Sequence, residues 1–173
     1  MKGRLAREAI ILNREGMSKK LEQPGVRYRL NVAGMLRDGA GKVFIAERVD
    51  RPGFWQFPQG GVDEGETLEE ALARELREEI SVDAAAYEIV TRKGPYYYLF
   101  GNGKEVKGYH GKEQHYFLMN FTGDAGKIDV GTEHPEFRDG RWVEPGGFEI
   151  DWLPKMKREV YREVFRDFFA VEI

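Results

Sequence analysis

The chain has 173 residues, 41% of them hydrophobic, enough for one well-packed core, so a single domain is the default expectation. Its 27 basic and 30 acidic residues leave a net charge of −3, which excludes a global basic field for nucleic acid and leaves only a local patch open. Cysteine is absent, which excludes disulfides, thiolate metal centres and cysteine nucleophiles and suits a cytoplasmic protein.

Residues 1–25 hold one short apolar run, Ala9–Leu12, within charged sequence. The run is too short for a signal-peptide core or a membrane span, so an N-terminal arm or short extra helix is expected there, with no membrane partner. Residues 26–173 are expected to form the single domain. Tyr28–Leu36 is apolar and strand-competent, and Asp38-Gly39 marks a turn before Lys42–Glu47, so two paired strands are expected. Arg51-Pro52-Gly53 reads as a loop, and so do Gly60-Gly61 and Asp63-Glu64-Gly65. Thr67–Ile80 reads as a helix, because Thr67 and Glu70 fit a capping box and Ala, Leu, Glu and Arg fill the interior. Tyr87–Thr91 and Tyr96–Phe100 are strand candidates separated by Gly94-Pro95, and the Gly- and Lys-rich Gly101–Lys112 is a loop. Gln114–Phe121 reads as a buried strand, Gly123–Gly131 as a loop, Gly140–Glu144 as a short strand and Lys155–Phe169 as a closing helix. Strands and helices mix without a regular βαβ repeat, so an α/β fold with a mixed sheet flanked by helices is expected.

The helix over 67–80 is unusually acidic, and an acidic run ordinarily reads as a solvated face. Advancing about 100° per residue sets Leu68, Leu72, Leu76 and Ile80 on one apolar stripe. Glu79 falls between Leu68 and Leu72 on that wheel, Glu75 borders the stripe and Glu78 lies just outside it, whereas Glu70 and Arg77 point to water. Inward carboxylates cost several kcal/mol each unless a counter-charge is present. These also crowd the C-terminal half of the helix, where the dipole disfavours negative charge. Arg74 supplies one positive charge, and a hard divalent cation is the economical remainder.

Gly60, Glu66 and the run Arg74-Glu75-Leu76-Arg77-Glu78-Glu79-Ile80-Ser81-Val82 resemble the Nudix hydrolase box in residue type and spacing. Every fixed position matches except the last glycine, which here is Ser81 and which ends the helix in the family. The resemblance implies a Nudix-type α/β/α sandwich with a mixed β-sheet. It implies hydrolysis of nucleoside diphosphates linked to a further group, with two or three Mg²⁺ or Mn²⁺ ions. Carried over position by position, Glu75, Glu78 and Glu79 are implied metal ligands, one of them an activator of water. The Gly60 carbonyl is a further implied ligand, and Glu66 and Arg74 would orient helix and loop. Such chemistry suits metals, which neutralise a polyphosphate and lower the pKa of attacking water.

Beyond the box, Tyr28-Arg29-Leu30-Asn31-Val32, Trp55-Gln56-Phe57-Pro58-Gln59-Gly60-Gly61, Gly111–Phe117, Pro135-Glu136-Phe137 and Lys157-Arg158-Glu159-Val160-Tyr161 resemble one branch of the family. That branch holds bacterial RNA pyrophosphohydrolases and diadenosine polyphosphate hydrolases. It implies Glu136 as a further metal ligand or base, and Arg29, Arg48, Lys112, Gln114 and Lys157 as grips on phosphate. Tyr98 is the expected ring for stacking on a base. Each has an ordinary alternative: a surface acid, strand-edge polar residues, basic residues balancing surface acids, or packing within Tyr96-Tyr97-Tyr98. The three histidines lack metal-ligand spacing and receive no role. The expected substrate is a nucleotide polyphosphate, and two choices follow from the branch. RNA-acting members often carry a basic tail, whereas this sequence closes on Val171-Glu172-Ile173, which puts diadenosine tetra- and pentaphosphate first. The RNA 5′ end is the alternative partner, with removal of pyrophosphate from 5′-triphosphorylated RNA. A Nudix-fold sensor that binds without cleaving is the reading from another class, disfavoured because the box acids are intact.

Overall fold

A computed structural model describes residue 20 and residues 23–173. The arm or extra helix expected over residues 1–25 lies, apart from residues 20 and 23–25, outside the described residues.

Strand β1 (Tyr28–Arg37) turns through Asp38, whose carboxylate accepts from the Ala40 and Lys42 backbone N–H groups, into β2 (Val43–Arg48). Two short strands follow, β3 (Trp55–Gln56) and β4 (Gln59–Gly61), then helix α1 (Leu68–Ile80). The remainder is β5 (Tyr87–Leu99), β6 (Gly111–Phe121), β7 (Phe137–Val143) and helix α2 (Lys155–Phe169). All seven strands join one sheet with the main order β3-β2-β1-β6-β5, while β4 pairs with β1 and β7 with β2. Only β1 and β6 run parallel, so the sheet is mixed as expected.

Alternation along the strands splits the core into two layers. Val32, Leu36, Phe44, Phe117 and Met119 face α1, which contributes Ala71, Leu72, Leu76 and Ile80. Ala33, Met35, Val43, Ile45, Tyr116 and Leu118 face α2, which contributes Val160, Tyr161, Val164 and Phe165. This is the α/β/α sandwich.

One edge of β1 is shared, and the sharing makes the site. Arg37 pairs with Val43 of β2, whereas Asn31, Val32 and Ala33 pair with Gly61, Gly60 and Gln59 of β4. Farther along, β2 pairs instead with β3, at Ala46↔Gln56 and Glu47↔Trp55. The segment Trp55–Gly61 therefore wedges β1 and β2 apart at the end where α1 and α2 bring their polar residues.

The structure departs from two expectations. Gly60-Gly61, read as loop because paired glycines usually are, forms the inner part of β4. The two strands read on either side of Gly94-Pro95 are one edge strand, β5, carrying register shifts between Ile89 and Thr91 and between Lys93 and Tyr96. An edge position and a bulge both tolerate proline, because its missing N–H takes no bond from the ladder.

Candidate active site

The acidic face is set by α1 and β4. The helix starts at Thr67, whose hydroxyl accepts from the Glu70 N–H at 3.2 Å, and the Glu70 carboxylate accepts from the Thr67 N–H at 2.8 Å. That reciprocal pair closes the predicted capping box and fixes the helix phase. With the phase fixed, Glu79 is 4% exposed, the Glu75 side chain 14% and the Glu78 side chain 58%. The inward turn of Glu75 and Glu79, and the outer place of Glu78, follow the wheel.

Glu75 lies directly on Gly60, where an added Cβ would stand 1.9 Å from its carboxyl carbon. Arg29 lies on the other face of the same strand, where a Cβ at Gly61 would stand 2.2 Å from its guanidinium. Both glycines are required by close approach rather than by backbone angle. Arg74 ties this corner together. Its guanidinium donates to both Glu66 oxygens at 2.7 and 2.8 Å, to the Gly61 carbonyl at 2.9 Å and to Glu75 at 2.7 Å. That guanidinium and the Asp63 N–H pull the Glu66 carboxyl down to about 2. Glu66 and Arg74 thus orient loop and helix.

Electrostatic tension concentrates on Glu79. One carboxylate oxygen accepts from the Gln59 N–H at 3.0 Å, and the other is buried without a partner among the described residues. Burial, then the adjoining carboxyls of Glu136 and Glu75, push its pKa well above the ordinary value. Burial also raises Glu75, against the pull of Arg74. Glu136 reaches the cluster from the segment before β7, and its carbonyl accepts from the Val49 N–H at 2.9 Å at the end of β2.

Cations ring these acids. Lys112 is the register partner of Arg29 across β1 and β6. Burial, then Arg29 and Arg48, push its pKa down to about 8. Arg48 is held bidentately by Asp50 at 2.7 and 2.8 Å and feels both Glu136 and Glu79. Lys157, at the start of α2, is buried and donates to the Gln56 side chain at 2.7 Å, with its pKa driven down by burial and by Lys112. Gln114 is fully buried beside its register partner Asn31, and the amide atoms of both lack partners among the described residues.

All the expected site residues lie at this end of the sheet. Tyr98, expected to stack on a base, is the register partner of Lys112 but does not offer its ring to a ligand. It is 6% exposed and packs edge-to-face on Phe100 within the α2-side core, so no ring face is open. Asn31, Asp50, Gln56 and Gln59 join the site without an expected role. A signal existed for Asn31, an amide amid the apolar run of β1, and for Gln56 and Gln59, which lie within the matched segment Trp55–Gly61; Asp50 carried none.

The donor set fits hard divalent cations. The carboxyls of Glu136 and Glu75 both act on the buried Glu79, and one Glu79 oxygen has no donor among the described residues. Among the described residues no group of three acidic or histidine side chains is arranged to hold a metal ion by itself.

Residues 27–168 match the model of the NUDIX domain. The chain is 41% identical over 164 residues to an RNA pyrophosphohydrolase of Erythrobacter litoralis, covering 87% of this chain and 96% of that protein. Among solved structures it resembles a C. elegans Ap4A hydrolase complex, with TM-score 0.57 and 25% identity over 82% of this chain and 96% of that one. The E. coli dihydroneopterin triphosphate pyrophosphohydrolase shares the fold, with TM-score 0.59 and 17% identity over 83% of this chain and 98% of that one. Family match, two-layer core and acid-bearing helix agree: this chain belongs to the Nudix hydrolases, enzymes acting on phosphoric anhydride bonds.

Proposed function

We propose that this hydrolase removes pyrophosphate from 5′-triphosphorylated RNA, using Mg²⁺ or Mn²⁺, two or three ions at a time. The observation that carries the RNA reading is the near full-length similarity to a relative named RNA pyrophosphohydrolase. It reverses the order expected from the sequence, in which diadenosine polyphosphates came first. The dinucleotide reading stays second, supported by the likeness to the C. elegans Ap4A hydrolase.

In this reading Glu75, Glu78, Glu79, Glu136 and the Gly60 carbonyl would hold the cations, which would supply neutralisation of the polyphosphate and a more acidic attacking water. Arg29, Arg48, Lys112 and Lys157 take the phosphate oxygens, with Gln114 beneath them, and hold the anhydride in line with the attacking water. Water adds its oxygen to one phosphorus and gives a proton to a carboxylate of the cluster. The bridging oxygen leaves with the other phosphorus.

Purified protein with Mg²⁺ would be offered 5′-triphosphate RNA, diadenosine tetraphosphate, ADP-ribose and dGTP. The expected outcome is the highest kcat/KM on the RNA, with pyrophosphate released and activity lost on chelation. A preference for diadenosine tetraphosphate would instead establish the second reading. Tight binding of nucleotide without turnover of any substrate would refute both and leave a sensor.

A further inference from the structure

The loop between β5 and β6 carries a lysine where its turn suits other residues. Val106 and Tyr109 exchange backbone hydrogen bonds at 2.9 and 3.0 Å, enclosing Lys107 at φ 50° and Gly108 at φ 80°. A two-residue hairpin loop with both φ values positive favours Asn-Gly, and a β-carbon at the first position is strained. The strain holds an ammonium at the exposed tip, and Lys104 is exposed on the same hairpin.

The hairpin is anchored beside the site. The Phe100 N–H donates to the His110 carbonyl at 2.8 Å, and the His110 N–H to the Arg27 carbonyl at 2.7 Å. The Arg27 guanidinium lies against Gly108, where a Cβ would stand 2.8 Å from it. Two residues along, about 7 Å in a strand, is Arg29, paired with Lys112. Positive side chains thus run outward from the phosphate grip to the hairpin tip. Two acids also lie near this line, Glu105 at 3.7 Å from His110 and Glu113 at 3.5 Å from His115. These contacts are ionic only when the imidazole is protonated, and they leave the three cations Arg27, Lys104 and Lys107 in excess. In a chain of net charge −3 this is a local basic track.

We infer that Arg27, Lys104 and Lys107 guide the phosphodiester backbone of RNA beyond its 5′-terminal nucleotides, an inference that rests on the RNA reading above. A dinucleoside polyphosphate has no phosphodiesters for such a track to hold. Only a polymer does. The track therefore sets preference for length, separately from the chemistry at the anhydride.

The test compares kcat/KM on a 5′-triphosphate dinucleotide and on a 5′-triphosphate RNA of about ten nucleotides, long enough to span several phosphate contacts. The variant is Lys104→Gln with Lys107→Asn, the asparagine suiting the turn better than lysine and so preserving the hairpin. On the longer RNA, kcat/KM is expected to fall about three- to tenfold at low salt. Its salt dependence is expected to flatten by about 0.7 in log–log slope per charge removed. On the dinucleotide, kcat/KM is expected to stay unchanged. Equal loss on both substrates, or none on the longer one, overturns the track while the RNA reading stands. Failure to cleave either RNA while diadenosine tetraphosphate is hydrolysed overturns both.

Discussion

Glu79 is a carboxylate held where a neutral side chain would be more stable. Its native pKa lies above the unfolded one, so between the two the native state holds the extra proton and stability falls as pH rises. Glu79→Gln keeps an oxygen for the Gln59 N–H and removes that cost. At pH 7 in chelator, the Gln variant is expected to melt no lower than the parent, while kcat in Mg²⁺ falls at least about 100-fold. Near-full turnover in the variant would remove Glu79 from the machinery. Lys112 carries the opposite sign. Its native pKa of about 8 lies below the unfolded value, so it loses charge first in the native state. The KM for polyphosphate is expected to rise as pH passes about 8, and Lys112→Arg, which stays charged, is expected to flatten that rise. A KM profile unchanged by the substitution would show that another group sets it. At this scale the helix acids were legible, because one angle per residue decides their direction. Tyr98 was not. Three successive tyrosines alternate in and out of the sheet, and the register shifts around Gly94-Pro95 decide which two are buried.

At the scale of elements, α1 shows how a family departure is absorbed. Ser81 ends the helix in the left-handed region at φ 59°, the conformation glycine adopts without strain. Its hydroxyl donates to the Asp129 carbonyl at 3.1 Å, a partly compensating contact on an exposed surface. Ser81→Gly is expected to raise stability by up to about 1 kcal/mol and leave kcat unchanged, as read by denaturant unfolding. At the other end, Thr67→Ala is expected to cost about 1 kcal/mol by opening the capping box. The N-terminal end of α1 was legible from capping chemistry, whereas at the C-terminal end serine stands where the glycine signal would be. Strand β4 was not legible, since two adjacent glycines carry no strand signal. Its existence follows from an unpaired stretch of β1 that another backbone must satisfy.

For the whole molecule, the core layer under α2 meets the site through Phe57. Its ring stacks on Tyr161 of α2 at 5.4 Å, and its N–H donates to the Tyr161 hydroxyl at 3.1 Å. The segment carrying Gln56, Gln59 and Gly60 is therefore pinned to the helix that supplies Lys157. Phe57→Ala is expected to cost about 3 kcal/mol or more and to raise KM in whatever protein remains folded. Unchanged KM with lowered stability would make Phe57 a packing residue alone. The sandwich and both helices were legible, because periodicity and the motif run the length of the chain. The wedge between β1 and β2 was not, since it depends on strand register rather than residue type. No helix of the described residues is long and apolar enough to cross a membrane.

The back-to-back placement of Glu75 on Gly60 and Arg29 on Gly61 makes β4 a partition one peptide thick between a chamber walled by carboxylates and one walled by a guanidinium. Neighbouring positions in a strand open on opposite sides, so shifting the strand by a single residue exchanges the chambers' floors. A one-residue insertion between Phe57 and Gln59 would drive Gln59's bulk under a charged group, whatever the rest of the sheet did. Evolution can therefore alter the length of the 101–110 hairpin far more freely than the few residues linking β3 to β4.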